Sequence, residues 1–280
     1  MVMTWPVLAA VLCGALLHAS WNALVKSSTD KTLDTALIHV LCSLLALPFV
    51  LWFGPPPPAT WPYIGASLVI HVGYYFALAG AYRHGDLGLT YPLMRGSAPM
   101  LVAVASFLLL GETLTPLAWT GIVAVSCGVL LLGASAGLLR HRQAVLYALA
   151  NAAIIAVYTV IDGRGVRLAG VAAQYIAMLF VLDGWPFALM VFIHRKGQVW
   201  PYVRRRWPVA TGGALASVGS YAIALWAMTV APVAMVAALR ETSVLFAVLI
   251  GVLFLGERWT RWRGVGTAAI VAGVLALRLG

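Results

Sequence analysis

LMRGSAPMLVAVASFLLLGE, residues Leu93–Glu112, lies over ALRETSVLFAVLIGVLFLGE, residues Ala238–Glu257, at a constant offset of 145. The register holds beyond these stretches: Thr115 falls on Thr260, Gly121 on Gly266 and Gly128 on Gly273. Arg95 therefore falls on Arg240, each inside a segment that is otherwise almost wholly apolar. Elsewhere the two halves match weakly, as an old duplication of half the chain would.

The solvent for this repeat is lipid. Hydrophobic residues make up 62% of the chain, 9% is charged, and the mean hydropathy is +0.96. A soluble domain is nearer half apolar and a quarter charged. A spanning helix needs about 20 mostly apolar residues. Windows of that size fall at 5–25, 33–53, 62–82, 89–110, 116–136, 143–161, 171–193, 207–229, 233–255 and 262–279. The longest connection left over is 194–206. The expected fold class is an all-α membrane protein of ten transmembrane helices. It is one integral membrane domain, divided into five-helix repeats at 1–139 and 140–280. Five is odd, so the second repeat must enter the membrane upside down, and inverted repeats of this kind mark transporters.

The formal net charge of +10, and the run HRKGQVWPYVRRRWP (His194–Pro208) in particular, could suggest nucleic acid. In a chain of membrane spans the charge is better read as topology, with no nucleic-acid partner. The connections after windows 1, 3, 5, 7 and 9 carry thirteen Lys and Arg residues, while the opposite side has only Arg164, Arg167 and Arg278. Lys and Arg mark cytoplasmic loops, which places both termini on the far, periplasmic side of an inner membrane. The uncharged GPPPPATWP (Gly54–Pro62) then becomes an external polyproline loop. The first window lacks a basic n-region and a small-residue cleavage site, so it reads as a retained helix rather than a signal peptide. Cys13, Cys42 and Cys127 have no CxxC spacing and read as small packing residues, with no disulfide framework and no metal site.

Polar residues inside such windows are costly, about 2.5–3.5 kcal/mol for a central charge on insertion scales. Arg95 lies about 9 Å into its helix at the α-helical rise. It either snorkels to the headgroups or, like Arg240 near the opposite mouth, meets a polar substrate or a gate carboxylate. Glu241 follows Arg240 and cannot face it, because helix neighbours point apart. It needs a partner on another helix and is a candidate gate or coupling residue. Asp183, beside Gly184 and Pro186 where a helix could break, admits two readings: a coupling-ion or proton site, or a hydrogen-bonded structural carboxylate.

Other helices gather polar and aromatic residues on one face. His18, Trp21 and Asn22 do so in the first window, His71, Tyr74 and Tyr75 in the third, Asn151 and Tyr158 in the sixth, Ser217 and Tyr221 in the eighth. Each alone reads as packing or interhelical hydrogen bonding. Four such faces in repeat-related windows point to one shared cavity. Its expected lining is Trp21, Asn22, His71, Tyr75, Arg95, Asn151, Tyr158, Tyr221 and Arg240. GASAG (Gly133–Gly137) fits GxSxG but ends a membrane helix, without the strand-turn-helix setting of a nucleophile elbow. No HExxH or other metal-ligand spacing occurs, so neither an enzyme nor a cofactor is expected. GGALASVGS (Gly212–Ser220) reads as a close-packing ridge of Gly212, Ala216 and Ser220. The paired Gly-Glu steps at 111–112 and 256–257 read as helix ends, with Thr115 or Thr260 capping the next helix.

The two repeats, WNALVK (Trp21–Lys26), AYRHGDLGLTYPLMRG (Ala81–Gly96) and the repeated LGE before a Gly-rich helix together resemble the drug/metabolite transporter superfamily, ten-helix EamA type. The resemblance covers the whole chain and is specific for the superfamily, not for a substrate. It implies a basket of helices around a cavity lined by helices 1, 3, 4, 6, 8 and 9. It also implies export of amino acids and related metabolites, as by the YddG-type exporters of aromatic amino acids. Relatives that carry sugars, nucleotide sugars or drugs keep other substrates open, as do import and lipid flipping. The family's usual orientation has both termini in the cytoplasm, and here the expectation follows the charges instead. A small-molecule substrate and the bilayer are the expected partners, with proton coupling a candidate and the assembly a monomer or homodimer.

Overall fold

The computed structural model describes residues 3–84, 87–132, 142–254 and 259–280. Among them every regular element is helical. The first half holds α1 (Trp5–Lys26), α2 (Lys31–Phe53), α3 (Trp61–His84), α4 (Leu87–Leu110) and α5 (Pro116–Leu132). The second holds α6 (Arg142–Leu168), α7 (Ala172–Arg195), α8 (Val199–Val230), α9 (Val233–Arg240), α10 (Thr242–Phe254) and α11 (Arg261–Leu279). Seven stretches of the described residues are long and apolar enough to cross a bilayer, and one of them, Ala172–Val230, contains both α7 and α8. Side chains such as Leu51, Trp52, Phe76 and Leu108 are largely exposed on the outside of the bundle. An apolar belt of this size on a helical bundle is what lipid covers. The protein is a multi-pass membrane protein.

Local chemistry sets the helix ends. Asp30 accepts the Thr32 and Leu33 N–H groups at 3.1 Å and starts α2. Thr115 accepts the Ala118 N–H at 3.1 Å, just before Pro116 opens α5, and Thr260 accepts the Arg263 N–H at 3.3 Å to start α11. Gly111 takes φ 66, the left-handed turn that stops α4. Gly256, Glu257 and GASAG lie outside the described residues.

Four boundaries differ from the apolar windows. α6 runs on to Leu168, past Asp162, Arg164 and Arg167, and α8 begins at Val199, so most of the expected connection 194–206 is helix. A hydropathy window ends where charge begins, whereas a helix ends only where its backbone bonding does. The ninth window divides at Glu241, whose N–H bonds to Ala238 O at 3.1 Å in a tightened i−3 turn. The opposite happens at Pro186, a place where a helix could break, and α7 passes straight through. There Ser43 donates its hydroxyl to Val181 O at 2.7 Å, and Gly184 lets α2 approach so closely that a Cβ would sit 2.5 Å from His39 O.

The helices pair as α1 on α8, α3 on α6, α2 on α7 and α5 on α11, with α4 against α5, α6 and α9. Exchanging the two halves turns α1–α8 into α6–α3 and leaves α2–α7 and α5–α11 unchanged. The glycines of the repeat meet across this relation. A Cβ on Gly121 would lie 2.9 Å from Gly273 O, and one on Gly128 would lie 2.7 Å from Gly266 O. By contrast, Gly212 has nothing within 4 Å, and its neighbour Gly213 is the close one, 2.8 Å from Ile38. Ala216 and Ser220 of the expected ridge are buried, and Gly213 takes the place expected of Gly212. Gly128→Val should therefore lower stability by about 1–3 kcal/mol through overpacking. Gly212→Ala should leave the melting temperature and yield in detergent unchanged, which a thermal-shift series on both variants reads directly.

Two faces bound the bundle. On one, which we call the basic face, Asp34 takes Arg206 at 2.6 Å and Tyr202 at 2.8 Å, joining α2 to α8. On the other, the terminal face, Arg278 near the end of the last helix lies over the ring of Trp5, which starts the first, at 4.5 Å.

Candidate functional site

The terminal face is packed shut by α9. Every residue from Val233 to Leu239 is buried, and Pro232 precedes the helix. Its free N-terminus is taken by Glu112, whose two oxygens accept the Val233 N–H at 3.1 and 3.0 Å. Arg167 then holds the same carboxylate at 2.6 Å and donates to Met228 O and Ala231 O at 2.7 and 3.0 Å. The sequence reading took Glu112 as a helix end and Arg167 as a loop charge. Only the folded chain joins them.

Directly after α9 comes the centre of the molecule. The tightened turn presents Glu241 to Arg95 of α4, with Nε and Oε2 2.8 Å apart; the pair is ionic and not aligned as a hydrogen bond. Both residues are buried, and Arg95 also reaches Ser243 Oγ at 3.5 Å. Arg95 does not snorkel: Glu241 is the partner on another helix that each of the two required. Arg240 lies on the same cluster rather than at a separate mouth. Its guanidinium lies over the Tyr221 ring at 5.0 Å, and the side chain is partly exposed. His18 of α1 is within electrostatic reach of both arginines, and Trp21 packs edge-on to it at 5.6 Å.

A row of rings leads away from Arg240. Tyr221 packs against the apolar cluster that contains Tyr158, Tyr158 stacks on His71 with centroids 4.6 Å apart, and His71 Nδ1 lies 4.0 Å from Asp183. His71 Nδ1 is also 2.8 Å from Ser67 O. A carbonyl only accepts, so Nδ1 carries the proton and Nε2 is the variable nitrogen. Beside Asp183, Tyr75 stacks on Phe187 at 5.2 Å and its hydroxyl meets His39 Nε2 at 3.4 Å. Trp21, Asn22, His71, Tyr75, Asp183 and Arg240 are all partly exposed. The structure thus brings Trp21, His71, Tyr75, Arg95, Tyr158, Asp183, Tyr221, Arg240 and Glu241 into one neighbourhood. Asn22 is placed near it, its amide nitrogen donating to His18 O at 2.7 Å. Asn151 is different: it is buried and donates to Tyr74 O at 3.1 Å, spending its amide on the contact between α3 and α6.

Three contributors were not singled out in the sequence: His39, Phe187 and Asp162. Asp162 is fully buried and accepts Tyr175 OH at 2.8 Å and Tyr221 OH at 2.5 Å. It stood one residue past the end of the sixth window. The helical period could have found it, because Asn151, Tyr158 and Asp162 fall at i, i+7 and i+11 on one face. A separate groove of about 330 Å³, lined by Phe49, Ile176, Phe180, Ala222 and Trp226, is almost wholly apolar. It faces away from the charges, with Phe180 edge-on to Tyr221 as the partition.

Among the described residues no group of His, Cys, Asp and Glu could hold a metal ion. The chain matches the EamA-like transporter family twice, over residues 4–134 and 142–279. It belongs to the EamA-like transporter family. It is a membrane transporter of small molecules and not an enzyme. Among solved structures, 29 chains match. One, described only as the crystal structure of a protein, has a TM-score of 0.77 at 21% identity and covers 98% of this chain and 95% of its own. At that identity the likeness speaks for the fold. No curated protein matches.

For this EamA transporter the two arginines should respond differently to substitution. Arg95→Leu leaves Glu241 buried without its partner, which costs about 3–5 kcal/mol, so folded yield should fall. Adding Glu241→Leu should restore it. Arg240→Leu leaves no buried carboxylate orphaned and should give normal yield with transport lost. Size-exclusion profiles together with transport assays on the three variants separate these outcomes.

Proposed function

We propose that the protein exports small zwitterionic metabolites, amino acids above all, by alternating access through the central cavity. The observation that carries this is the separation of charge along the ring row. A partly exposed guanidinium, Arg240, stands at one end, and a partly exposed carboxylate, Asp183, at the other. A carboxylate on Arg240 and an ammonium near Asp183 would satisfy both poles. Tyr75, Phe187 and Tyr158 offer faces to a side chain between them. Glu241, already holding Arg95, acts as the gate carboxylate that carries movement of α9 and α10 to α4. Asn22 and Trp21 border the carboxylate pole from α1.

The same reading takes ten crossings in two inverted repeats, 1–139 and 140–280, in an inner membrane with the basic face in the cytoplasm. The charge bias of the connections supports that orientation. A cytoplasm-only reporter should then be active when fused after Arg205 and silent after Gly280. The reverse pattern would turn the transporter over.

Counterflow in proteoliposomes tests the substrate class. Exchange of phenylalanine should exceed that of alanine, and Tyr75→Ala should weaken apparent affinity for phenylalanine more than for alanine. Equal losses for the two would mean that Tyr75 only packs helices. The apolar groove between α2, α7 and α8 favours one second reading, an amphiphile that enters sideways from the bilayer. Scrambling of headgroup-labelled lipid in the same vesicles, without amino-acid counterflow, would select it.

A further inference from the structure

Each of the other carboxylates described above has a basic neighbour within 4.0 Å. Asp30 has Arg195, Asp34 has Arg206, Glu112 has Arg167, Glu241 has Arg95 and Asp183 has His71. Asp162 is the exception among the described residues. Fully buried in α6, it is held by hydroxyls: Tyr175 of α7 on Oδ1, Tyr221 of α8 on Oδ2, and Ser67 of α3 close by. His71 of α3 is the ionisable group in reach, and Tyr158 stands near it on its own helix. Arg95 of α4, with Glu241 and Arg240 at the end of α9, stands beyond Tyr158. Arg164, two residues on, is exposed, and Arg167 belongs to Glu112.

We propose that Asp162 is the proton-carrying carboxylate of this transporter, linked to the anion pole at Arg240 through Tyr221. The proposal rests on Arg240 as the substrate's anchor. A carboxylate held by hydroxyls exchanges a proton without dismantling an ion pair. The ionised form accepts both tyrosine O–H groups. The acid has one O–H of its own to donate, and a phenol that receives it turns from donor to acceptor. One of those phenols is Tyr221, whose ring face supports the Arg240 guanidinium.

The sign follows from charge. Ionised Asp162 offsets the positive field of Arg240, whereas the neutral acid leaves that field to the incoming carboxylate. Proton and substrate therefore bind together, and by linkage each raises the affinity for the other. Balance is simple: one proton leaves water for Asp162 on loading and returns to water on release. An accumulated metabolite carries a proton out with it, and an imposed proton gradient drives the same step in reverse.

The test uses the full chain in liposomes with radiolabelled phenylalanine. With the interior more alkaline by about one pH unit, one proton per substrate yields about tenfold accumulation. Asp162→Asn should fail to accumulate, and whatever counterflow it retains at equal pH should no longer vary with pH. A substrate-independent arm labels the wild-type chain with a hydrophobic carbodiimide, which adds to the protonated acid, and follows Asp162 by peptide mass spectrometry. Labelling should change with pH, and Tyr175→Phe should move the midpoint. Wild-type accumulation in Asp162→Asn, or labelling of Asp162 that ignores pH, overturns the proposal. Absence of phenylalanine transport by the wild type would sink the amino-acid reading, while the labelling would still decide the proton site. If Asp162→Asn fails to fold, the wild-type labelling and the Tyr175→Phe shift decide alone.

Discussion

A guanidinium and a carboxylate joined inside an apolar bundle constrain everything around them. Alone, either Arg95 or Glu241 would cost several kcal/mol at membrane depth. Together they are tolerable only while α4 and the turn between α9 and α10 stay in register. That turn exists because Glu241 bonds three residues back, and Thr242 bonds its hydroxyl to Leu239 O at 2.7 Å. The irregular backbone sits deep in protein and not against lipid, the setting in which membrane helices tolerate it. Arg240, the residue before, is thereby turned to the aromatic row. The ion pair thus fixes which arginine is buried in structure and which stays partly exposed beside the rings.

This division resolves an ambiguity that symmetry alone creates. Arg95 and Arg240 are equivalent in the repeat, but their neighbours are not: Gly96 stands where the second half has Glu241. With one carboxylate between two guanidiniums, only one can be neutralised by it. An old duplication supplied two matching cations, and a single acidic residue made them unlike. The Leu130 side chain lies where a Cβ on Gly96 would come, 2.7 Å away, so α4 is packed against α5 at the position that could have carried a second acid.

The membrane class, the repeat and most helices were legible because lipid imposes a simple rule of length and apolarity. Thr115 and Thr260 were legible as caps because capping is local chemistry. What stayed hidden depended on contacts between distant residues. Glu112 and Arg167 are 55 positions apart, and nothing in their own surroundings announces the bond. The α6 extension was hidden because the rule for lipid burial stops at Asp162, while this residue is buried in protein. Asn151 looked like its cavity-facing neighbours by spacing, yet a helix face divides between cavity and partner helix at a finer grain than sequence periodicity reads. Gly212 and Gly213 show the same limit, since one residue of rotation decides which of them touches α2.

The two ends of the bundle are held together by different contacts. At the basic face the Asp34, Arg206 and Tyr202 contacts join α2 to α8 at the rim, away from the ring row. At the terminal face the lock is central. Glu112 caps α9, and α9 leads within eight residues to Arg240 and Glu241. Opening that face requires α9 to lose the Glu112 cap or to carry it along. Either movement would pull on the Arg95 pair and on the guanidinium over Tyr221. Arg240 therefore lies at the end of the same short helix whose start Glu112 caps. Because Val233 to Leu239 are all buried, any movement of α9 would be that of a packed unit and not a gradual bend, as close-packed interiors require. On the proposed transport reading, occupancy at Arg240 and closure of the terminal face become two readings of the position of one helix.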